Sequence, residues 1–230
     1  MKDFDRYAVI LASGEGRRMH SALPKQFLEL GGKPILRRTI ECFLDFDPGI
    51  HLFVALSPER REYWREYCSR TGFRPKMQLV SGGLTRFHSV KNALEYVPDG
   101  VLVAIHDGVR PLLPADFLSD IFSRAAHSDA VIPALPPVES LRELQGAGLS
   151  RSVDRTRFVT VQTPQVFRSE KIKAAYRQPY SPAFTDDASV AEAAGIKISL
   201  CEGRRENIKI TTPEDLALAQ SVISRLQENP

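Results

Sequence analysis

The sequence predicts an α/β protein of three layers, in which helices cover both faces of a mostly parallel, Rossmann-like sheet. Short apolar runs, such as residues 7–11 and 101–105, are continuous rather than alternating, as in strands buried on both faces of a parallel sheet. Segments with apolar residues at helical spacing separate these runs. This alternation of strands and helices is typical of a three-layer sandwich.

The predicted elements follow in chain order. Helices are expected over 33–46, 57–72, 114–126, 169–178, 185–195 and 212–226, with one more after residue 86. Strands are expected over 51–56, 77–80, 130–135, 158–161, 196–201 and 207–211. The acidic residues Asp186 and Asp187 are interpreted as the N-terminal cap of the helix that ends at Gly195, with no catalytic role.

Length and charge limit the protein's class. A chain of 230 residues can bury a full core, and we expect one domain over 1–230. Regularity fails over 136–157, where prolines, glycines and charges predict a functional loop or an arm docked on a partner. The net charge of +3 is scattered along the chain, which favours local anion sites over a nucleic-acid surface.

Cysteine usage and hydropathy predict the compartment. Cys42, Cys68 and Cys201 are widely separated, which argues against a disulfide framework or a zinc site. The N-terminus lacks the apolar core of a signal peptide, and no apolar run approaches the roughly 18 residues of a membrane span. We therefore expect a cytoplasmic protein with reduced thiols and no membrane partner.

The strongest functional signal is the loop that follows the first strand. Its small residues let the backbone bend closely around a ligand, with N–H groups that can donate to phosphate oxygens. Two cations, Arg18 and Lys25, lie just beyond it, so the expected ligand is a polyphosphate. The loop residues are Leu11, Ala12, Ser13, Gly14 and Gly16.

Other phosphate-binding loops fit this segment less well. A Walker-type loop requires a glycine followed directly by Lys and Ser or Thr, which this segment lacks. A dinucleotide fingerprint requires three glycines at fixed spacing, and only Gly14 and Gly16 fit. This segment alone does not exclude the alternative that it is a plain turn with solvated arginines and no ligand.

Later loops are predicted to face the same crevice, because ligands of open α/β sheets bind beyond the carboxyl ends of the strands. Ser89 lies in the first turns of a helix and could meet an anion or a base edge, or simply cap a turn. Asp107 could orient a phosphate-bound metal ion and Arg110 could grip a second phosphate, unless the two form a surface ion pair. His106 is interpreted as a structural residue. Lys209 lies in the last predicted strand, 207–211.

Six segments, in this order, resemble the 2-C-methyl-D-erythritol 4-phosphate cytidylyltransferase family of the non-mevalonate isoprenoid pathway. Together they span nearly the whole chain. They are residues 11–19 with 24–26, 82–86 with 89–90, 106–111, 162–165, 185–189 and 207–216.

The resemblance implies transfer of CMP from CTP to the sugar-alcohol phosphate, with release of pyrophosphate. It implies that Arg18, Lys25 and Lys209 hold the triphosphate and are the catalytic residues. The implied nucleotide-binding residues are Leu11, Ala12, Ser13, Gly14, Gly16, Gly83, Leu84, Ser89, Asp107 and Gly108. The implied acceptor-binding residues are Asp107, Arg110, Ser140, Arg155, Thr163 and Lys209.

The resemblance also implies a homodimer with active sites shared across the interface. Residues 136–157 would form an inserted dimerisation arm that carries Arg155 to the neighbour's site, and Mg²⁺ would bind mainly through CTP, with Asp107 as a possible protein ligand. The arm has Ser140 and Arg142 where the family usually has Thr and Lys, and arginine is not a neutral replacement for lysine. Two alternatives are therefore kept: a ribitol 5-phosphate cytidylyltransferase, and a non-catalytic nucleotide-binding regulator.

Overall fold

The computed structural model describes residues 4–14, 19, 21 and 23–228, with the backbone alone for 226–228. Gly16 and Arg18, both named above, lie outside this description. The strands are β1 (Arg6–Leu11), β2 (Glu29–Leu30), β3 (Lys33–Pro34), β4 (His51–Leu56), β5 (Met77–Ser81), β6 (Leu102–Asp107), β7 (Ala130–Leu135), β8 (Arg142–Gly146), β9 (Leu149–Ser152), β10 (Thr160–Val161), β11 (Gln165–Arg168) and β12 (Ser199–Glu202). The α-helices are α1 (Ile35–Phe46), α2 (Pro58–Thr71), α3 (Arg86–Leu94), α4 (Ala115–Ala125), α5 (Ser169–Ala175), α6 (Asp187–Ala193) and α7 (Pro213–Glu228).

The described strands form one eight-stranded sheet and two small two-stranded sheets. The large sheet has the order β10-β7-β11-β6-β1-β4-β5, with β12 paired to β7. Pairs of β1 with β4 and β6, of β4 with β5 and of β7 with β12 are parallel, whereas β10 and β11 run antiparallel to their neighbours. The prediction of a mostly parallel sheet is confirmed.

Helices bury both faces of this sheet, which explains the absence of alternation in β1. Ala8 and Ile10 pack into a cluster with residues of α1, α2 and α4. The intervening Val9 points into a second cluster with residues of α3, α5 and α6. Because successive strand residues face opposite sides, an apolar environment on both sides requires a continuous apolar run. The three-layer prediction is thereby confirmed.

The C-terminal segment docks beside the first helix. Ile210 packs with Ile35 of α1 and with Ala219 and Ile223 of α7 in a third apolar cluster. The Ile210 N–H donates to the Val109 carbonyl at 3.0 Å. This contact fixes the chain before α7 against the loop that follows β6.

Three predicted elements differ from the structure. The strand expected over 207–211 is wrong: those residues pair with no strand of the described chain, since the Ile210 amide bonds to a loop. The strand expected over 158–161 is reduced to β10, and β11, which was missed, follows it. The strand expected over 196–201 begins later, as β12.

The irregular segment over 136–157 contains an exposed hairpin of β8 and β9. Its turn has positive φ at Gly146, Ala147 and Gly148. Charged and polar side chains dominate both strands, so no alternating apolar pattern marked them in the sequence. The role of this segment as a dimerisation arm stays a prediction.

Cys42, Cys68 and Cys201 are free thiols. Burial raises the pKa of Cys42 and of Cys201 to about 11, which disfavours the reactive thiolate at both positions. Among the helices described, none combines the length and apolar character needed to cross a bilayer.

Candidate active site

A cleft of about 120 Å³ opens at the carboxyl ends of β1 and β6. These strands are parallel neighbours, and their last residues, Leu11 and Asp107, are paired in register. The loops that follow them therefore start side by side, as predicted from open α/β sheets. The lining residues are Leu11, Ala12, Ser13, Gly14, Lys25, Gln26, Arg86, Ser89, Asp107, Val109 and Lys209.

The loop that follows β1, called the glycine loop here, is held by side chains that donate hydrogen bonds to its carbonyl groups. Gln26 is buried and donates through Nε2 to the Ala12 carbonyl at 2.6 Å. Arg60 of α2 donates to the Ser13 carbonyl and, at 2.9 Å, to the Gly14 carbonyl. Carbonyl oxygens repel phosphate, so engaging them with an amide and a guanidinium favours an anion at this loop.

Two of the three predicted catalytic cations converge on the cleft. The Lys25 ammonium lies 3.2 Å from the Ile210 carbonyl, to which it donates. The Lys209 ammonium lies 3.0 Å from Asp107 Oδ2. The first lysine comes from the 3₁₀ helix Lys25–Phe27 and the second from the C-terminal segment, yet both line one cavity.

Asp107 lies among three cations. Its Oδ2 is 3.3 Å from Arg110 Nε, in addition to the contact with Lys209, and its Oδ1 is 3.7 Å from Arg86 Nε. Burial alone would raise the pKa of Asp107, but Arg86, Lys209 and Arg110 together hold it below its usual value. The Asp107 and Arg110 side chains are only 10% and 12% exposed, so the alternative of a surface ion pair is wrong.

His106 and Thr163 support Asp107 from the interior. The Asp107 N–H donates to Thr163 Oγ1 at 3.1 Å, and Thr163 Oγ1 lies 3.0 Å from His106 Nδ1. His106 Nε2 lies 3.1 Å from the Arg110 carbonyl, which is satisfied when Nε2 carries the proton and Nδ1 accepts from Thr163. Burial lowers the pKa of His106 to about 4. These contacts agree with the structural interpretation of His106.

Arg110 and Thr163, both predicted to bind the acceptor, are engaged inside the protein. The Arg110 guanidinium donates to the Asn207 carbonyl at 2.8 Å, in addition to its pairing with Asp107. The Asn207 side-chain amide donates to the Thr163 carbonyl at 2.8 Å. These contacts fix the chain next to Lys209, so both residues stabilise the cleft from behind its lining.

Ser89 joins two loops of the cleft. Its buried hydroxyl donates to the Thr85 carbonyl at 3.0 Å and accepts from the Gly83 N–H at 2.9 Å, and it lies 3.0 Å from Ser13 Oγ. Leu84 is 97% exposed, and the binding of a base by its backbone stays a prediction.

Glycine is required at two of the predicted site positions because of close approach. A Cβ at Gly83 would lie 2.4 Å from the Cβ of His88. A Cβ at Gly108 would lie 2.9 Å from the Leu11 carbonyl oxygen, which accepts the Gly108 N–H at 2.8 Å. Both positions join strand ends to the loops of the cleft.

Sequence reasoning gave Arg86 no role. It placed Asp187 only at the positive end of a helix, and the structure confirms that position in the first turn of α6. Asp186 alone is the N-cap of α6, accepting the Ser189 N–H at 2.9 Å. Asp187 is fully buried and binds both terminal nitrogens of Arg86, at 2.9 and 2.6 Å. Two adjacent carboxylates before one helix were a usable signal, because only one of them is needed as the cap.

Two of the predicted acceptor-binding residues belong to segment 136–157, which is called the hairpin region from here on. They do not line this cleft in the described chain. Ser140 and Arg155 are both exposed. Arg155 lies in the 3₁₀ helix Arg155–Arg157 and donates to the Val138 carbonyl. Arg142 donates to Ser150 Oγ at 2.8 Å, across the hairpin. The Arg142 and Arg155 side chains are thus held by contacts within this segment.

A metal ion would find few protein ligands here. The described residues contain no group of three or more His, Cys, Asp or Glu side chains suited to a metal. Asp107, the carboxylate in the described lining, is already surrounded by three cations. This donor set fits a divalent ion that arrives on phosphate oxygens and gains at most one ligand from the protein.

Comparisons with known proteins identify the family. Residues 7–225 match the family model described as "IspD: 2-C-methyl-D-erythritol 4-phosphate cytidylyltransferase". A relative of that name from Bacteroides fragilis is 49% identical over 218 residues, which cover 95% of this chain and 99% of the relative. One from Geobacillus thermodenitrificans is 35% identical over 224 residues, covering 96% and 98%.

Solved structures give the same result. The crystal structure of 2-C-methyl-D-erythritol 4-phosphate cytidylyltransferase from Francisella tularensis superposes with a TM-score of 0.78 at 31% identity, over 94% of this chain and 99% of that one. A 4-diphosphocytidyl-2C-methyl-D-erythritol synthase from Anaerococcus prevotii reaches a TM-score of 0.81 at 23% identity, over 96% and 99%, and supports the fold.

Proposed function

This chain belongs to the 2-C-methyl-D-erythritol 4-phosphate cytidylyltransferase family, and from that premise we propose that it transfers CMP from CTP to 2-C-methyl-D-erythritol 4-phosphate. The observation that carries the proposal is the convergence of Lys25 and Lys209 with the glycine loop on one cleft. Two ammonium groups and a loop with engaged carbonyls form an environment that favours a polyphosphate.

The reaction requires one substitution at phosphorus. A phosphate oxygen of the acceptor attacks the α-phosphorus of CTP, and the bond from that phosphorus to the oxygen bridging to the β-phosphorus breaks. Pyrophosphate leaves with the electron pair, and the product is a CDP-alcohol. Catalysis of such a transfer depends on alignment and on positive charge near the equatorial oxygens.

No general base is needed, because the phosphate monoester is already an anion. The cleft supports this mechanism in two ways. His106 is buried with its pKa lowered, and both of its ring nitrogens are engaged. Asp107 is held ionised by its cations and serves to keep Lys209 in place. Neither group is needed to take a proton from the nucleophile.

We assign roles accordingly. Lys25, Lys209 and Arg18 hold the triphosphate and stabilise the charge that develops on the transferred phosphorus. The loop of Leu11, Ala12, Ser13, Gly14 and Gly16 cradles the phosphates, and the Gly83 and Leu84 backbone with Ser89 binds cytosine. Mg²⁺ bound mainly through the CTP phosphates would supply further positive charge, with Asp107 as a possible protein ligand.

The assembly is part of the same proposal. The hairpin region carries Ser140 and Arg155 away from the lining of its own cleft. In a homodimer these residues would complete the partner's acceptor site, so each active site would be shared. The proposed setting is the cytoplasm, where CTP is available.

Pyrophosphate release tests the proposal. Purified protein with CTP and Mg²⁺ is assayed with 2-C-methyl-D-erythritol 4-phosphate, with ribitol 5-phosphate and without an acceptor, and ATP replaces CTP in a control. We expect release with the first acceptor and CTP. Faster release with ribitol 5-phosphate would overturn the acceptor assignment, and CTP binding without turnover would indicate a regulator.

A further inference from the structure

We propose that Asp187 and Tyr176 are positioning residues of the cleft, which act by fixing the guanidinium of Arg86 beside Asp107. This inference rests on the proposed function, because it assigns these residues to the nucleotide site. Arg86 itself lines the cavity, whereas Asp187 and Tyr176 are buried away from it.

Arg86 is held in a planar fork. Its Nη1 and Nη2 donate to Oδ1 and Oδ2 of Asp187 at 2.9 and 2.6 Å. The remaining nitrogen, Nε, lies 3.7 Å from Asp107 Oδ1. A bidentate pair fixes the orientation of the guanidinium as well as its distance. The orientation of Nε towards Asp107 is therefore set by Asp187.

Asp187 in turn is fixed by Tyr176. The Tyr176 hydroxyl donates to Asp187 Oδ1 at 2.6 Å, and both residues are buried. Because Oδ1 also accepts from Arg86, the hydroxyl lies directly against the ion pair. Burial, followed by the charge of Asp187, raises the pKa of Tyr176, so its hydroxyl stays protonated and available as a donor.

Hydrogen bonds at the start of α6 fix the position of the Asp187 carboxylate. Gln165 of β11 donates to Asp186 Oδ2 at 2.7 Å and accepts the Ala188 N–H at 2.9 Å. Strand β11 is also the direct neighbour of β6, which ends in Asp107. Asp107 thus ends one strand, and the two neighbours of Asp187 in the chain are bonded to the adjacent strand.

The arrangement has an electrostatic consequence. Without Asp187, the positive charge of Arg86 would be attracted to Asp107, where it would compete with Lys209 and Arg110 for two oxygens. By pairing with Arg86, Asp187 holds that guanidinium on the Oδ1 side and leaves Asp107 Oδ2 to Lys209 and Arg110. The buried ion pair therefore controls where a predicted catalytic lysine lies.

Removal of a single hydroxyl tests this link. Tyr176→Phe preserves the ring, which stacks on Phe87 with centroids 4.7 Å apart. We expect its affinity for CTP with Mg²⁺, measured by titration calorimetry, to fall about three- to tenfold. Tyr180→Phe is the matched control: Tyr180 also contacts the Phe87 ring, but it is 43% exposed. We expect its affinity to match that of the wild type.

The same substitution made in an Arg86→Lys variant separates a positioning role of Tyr176 from a purely structural one. Arg86→Lys keeps the charge but cannot form the fork. If Tyr176 acts through Arg86, adding Tyr176→Phe to Arg86→Lys causes no further loss of CTP affinity, whereas its effect on thermal unfolding persists in both backgrounds. Independent, multiplicative losses of affinity would overturn the inference.

The controls also distinguish this inference from the proposed function. Wild-type protein that binds CTP and releases pyrophosphate, together with unchanged affinity in Tyr176→Phe, overturns the positioning role alone. Wild-type protein that does not bind CTP overturns the proposed function and, with it, this inference.

Discussion

The cleft and the hairpin region both carry many charged residues, but they position them differently. In the cleft, partners are far apart in sequence: Arg86 and Asp187 by 101 positions, Arg110 and Asn207 by 97, and Lys25 and Ile210 by 185. In the hairpin region, Arg151 pairs with Glu143 and Arg142 with Ser150, each eight positions away, and these groups are exposed.

The difference has an energetic meaning. Buried charges in the cleft are fixed by several partners, so their fields act without reorganisation. Exposed pairs such as the one in the hairpin are worth at most about 1 kcal/mol and are screened by salt. The cleft is therefore preorganised by the single chain, whereas the proposed role of the hairpin would require another surface to fix its side chains.

The largest effect is expected at the cleft. Lys25→Ala removes one preorganised cation, and we expect kcat to fall by roughly 10²- to 10³-fold, equivalent to about 3–4 kcal/mol. The assay is pyrophosphate release, and size-exclusion chromatography verifies that assembly is retained. Lys76→Ala changes an exposed lysine before β5 and serves as the control. Near-normal turnover of Lys25→Ala would contradict the view that the preorganised cations of the cleft carry catalysis.

Acid should destabilise the cleft through His106. Its pKa is about 4 when folded, below its ordinary value of 6.5, so the unfolded chain binds the proton more tightly. The contribution to stability is complete above pH 6.5 and is lost as the pH falls towards 4, to a total of roughly 3 kcal/mol. Urea unfolding at several pH values measures it.

The matched variants for this measurement are two histidine replacements. His106→Gln should flatten the pH dependence of the unfolding free energy between pH 6.5 and 4. His127→Gln, which changes an exposed histidine, should leave it unchanged. Identical slopes in all three proteins would show that burial at His106 does not control this titration.

The smallest effect is expected in the hairpin region. Arg155→Ala should raise the KM for the acceptor about tenfold or more, the value of a hydrogen bond to a charged group, while CTP affinity stays the same. Arg142→Ala, which removes the contact with Ser150, should change this KM less. Equal losses of acceptor and CTP binding in Arg155→Ala would contradict a side chain dedicated to the acceptor.

Local sequence patterns were sufficient for most of the fold. Continuous apolar runs marked β1, β4, β6 and β7 because each strand is buried on both faces. They failed at residues 207–211, which have strand-like composition but bond to a loop. They failed again at β8 and β9, since exposed strands carry no apolar alternation.

For the site, sequence motifs predicted which loops meet but not how their side chains pair. The rule that ligands bind at strand ends predicted that Asp107 faces the glycine loop, and the family resemblance added Lys25 and Lys209 as catalytic residues. The structure places all three around one cavity. The bridge from Arg86 to Asp187 joins α3 to the start of α6, and no local spacing encodes such a contact. Arg60 was missed for the same reason.

The contact between Lys25 and the Ile210 carbonyl has a consequence for folding. One wall of the cleft is formed by residues that lie 185 positions along the chain from Lys25, and α7 packs beside them. A chain truncated before this segment would lack Lys209 and the carbonyl that Lys25 contacts. The cleft is therefore complete only after this distant segment has folded against it.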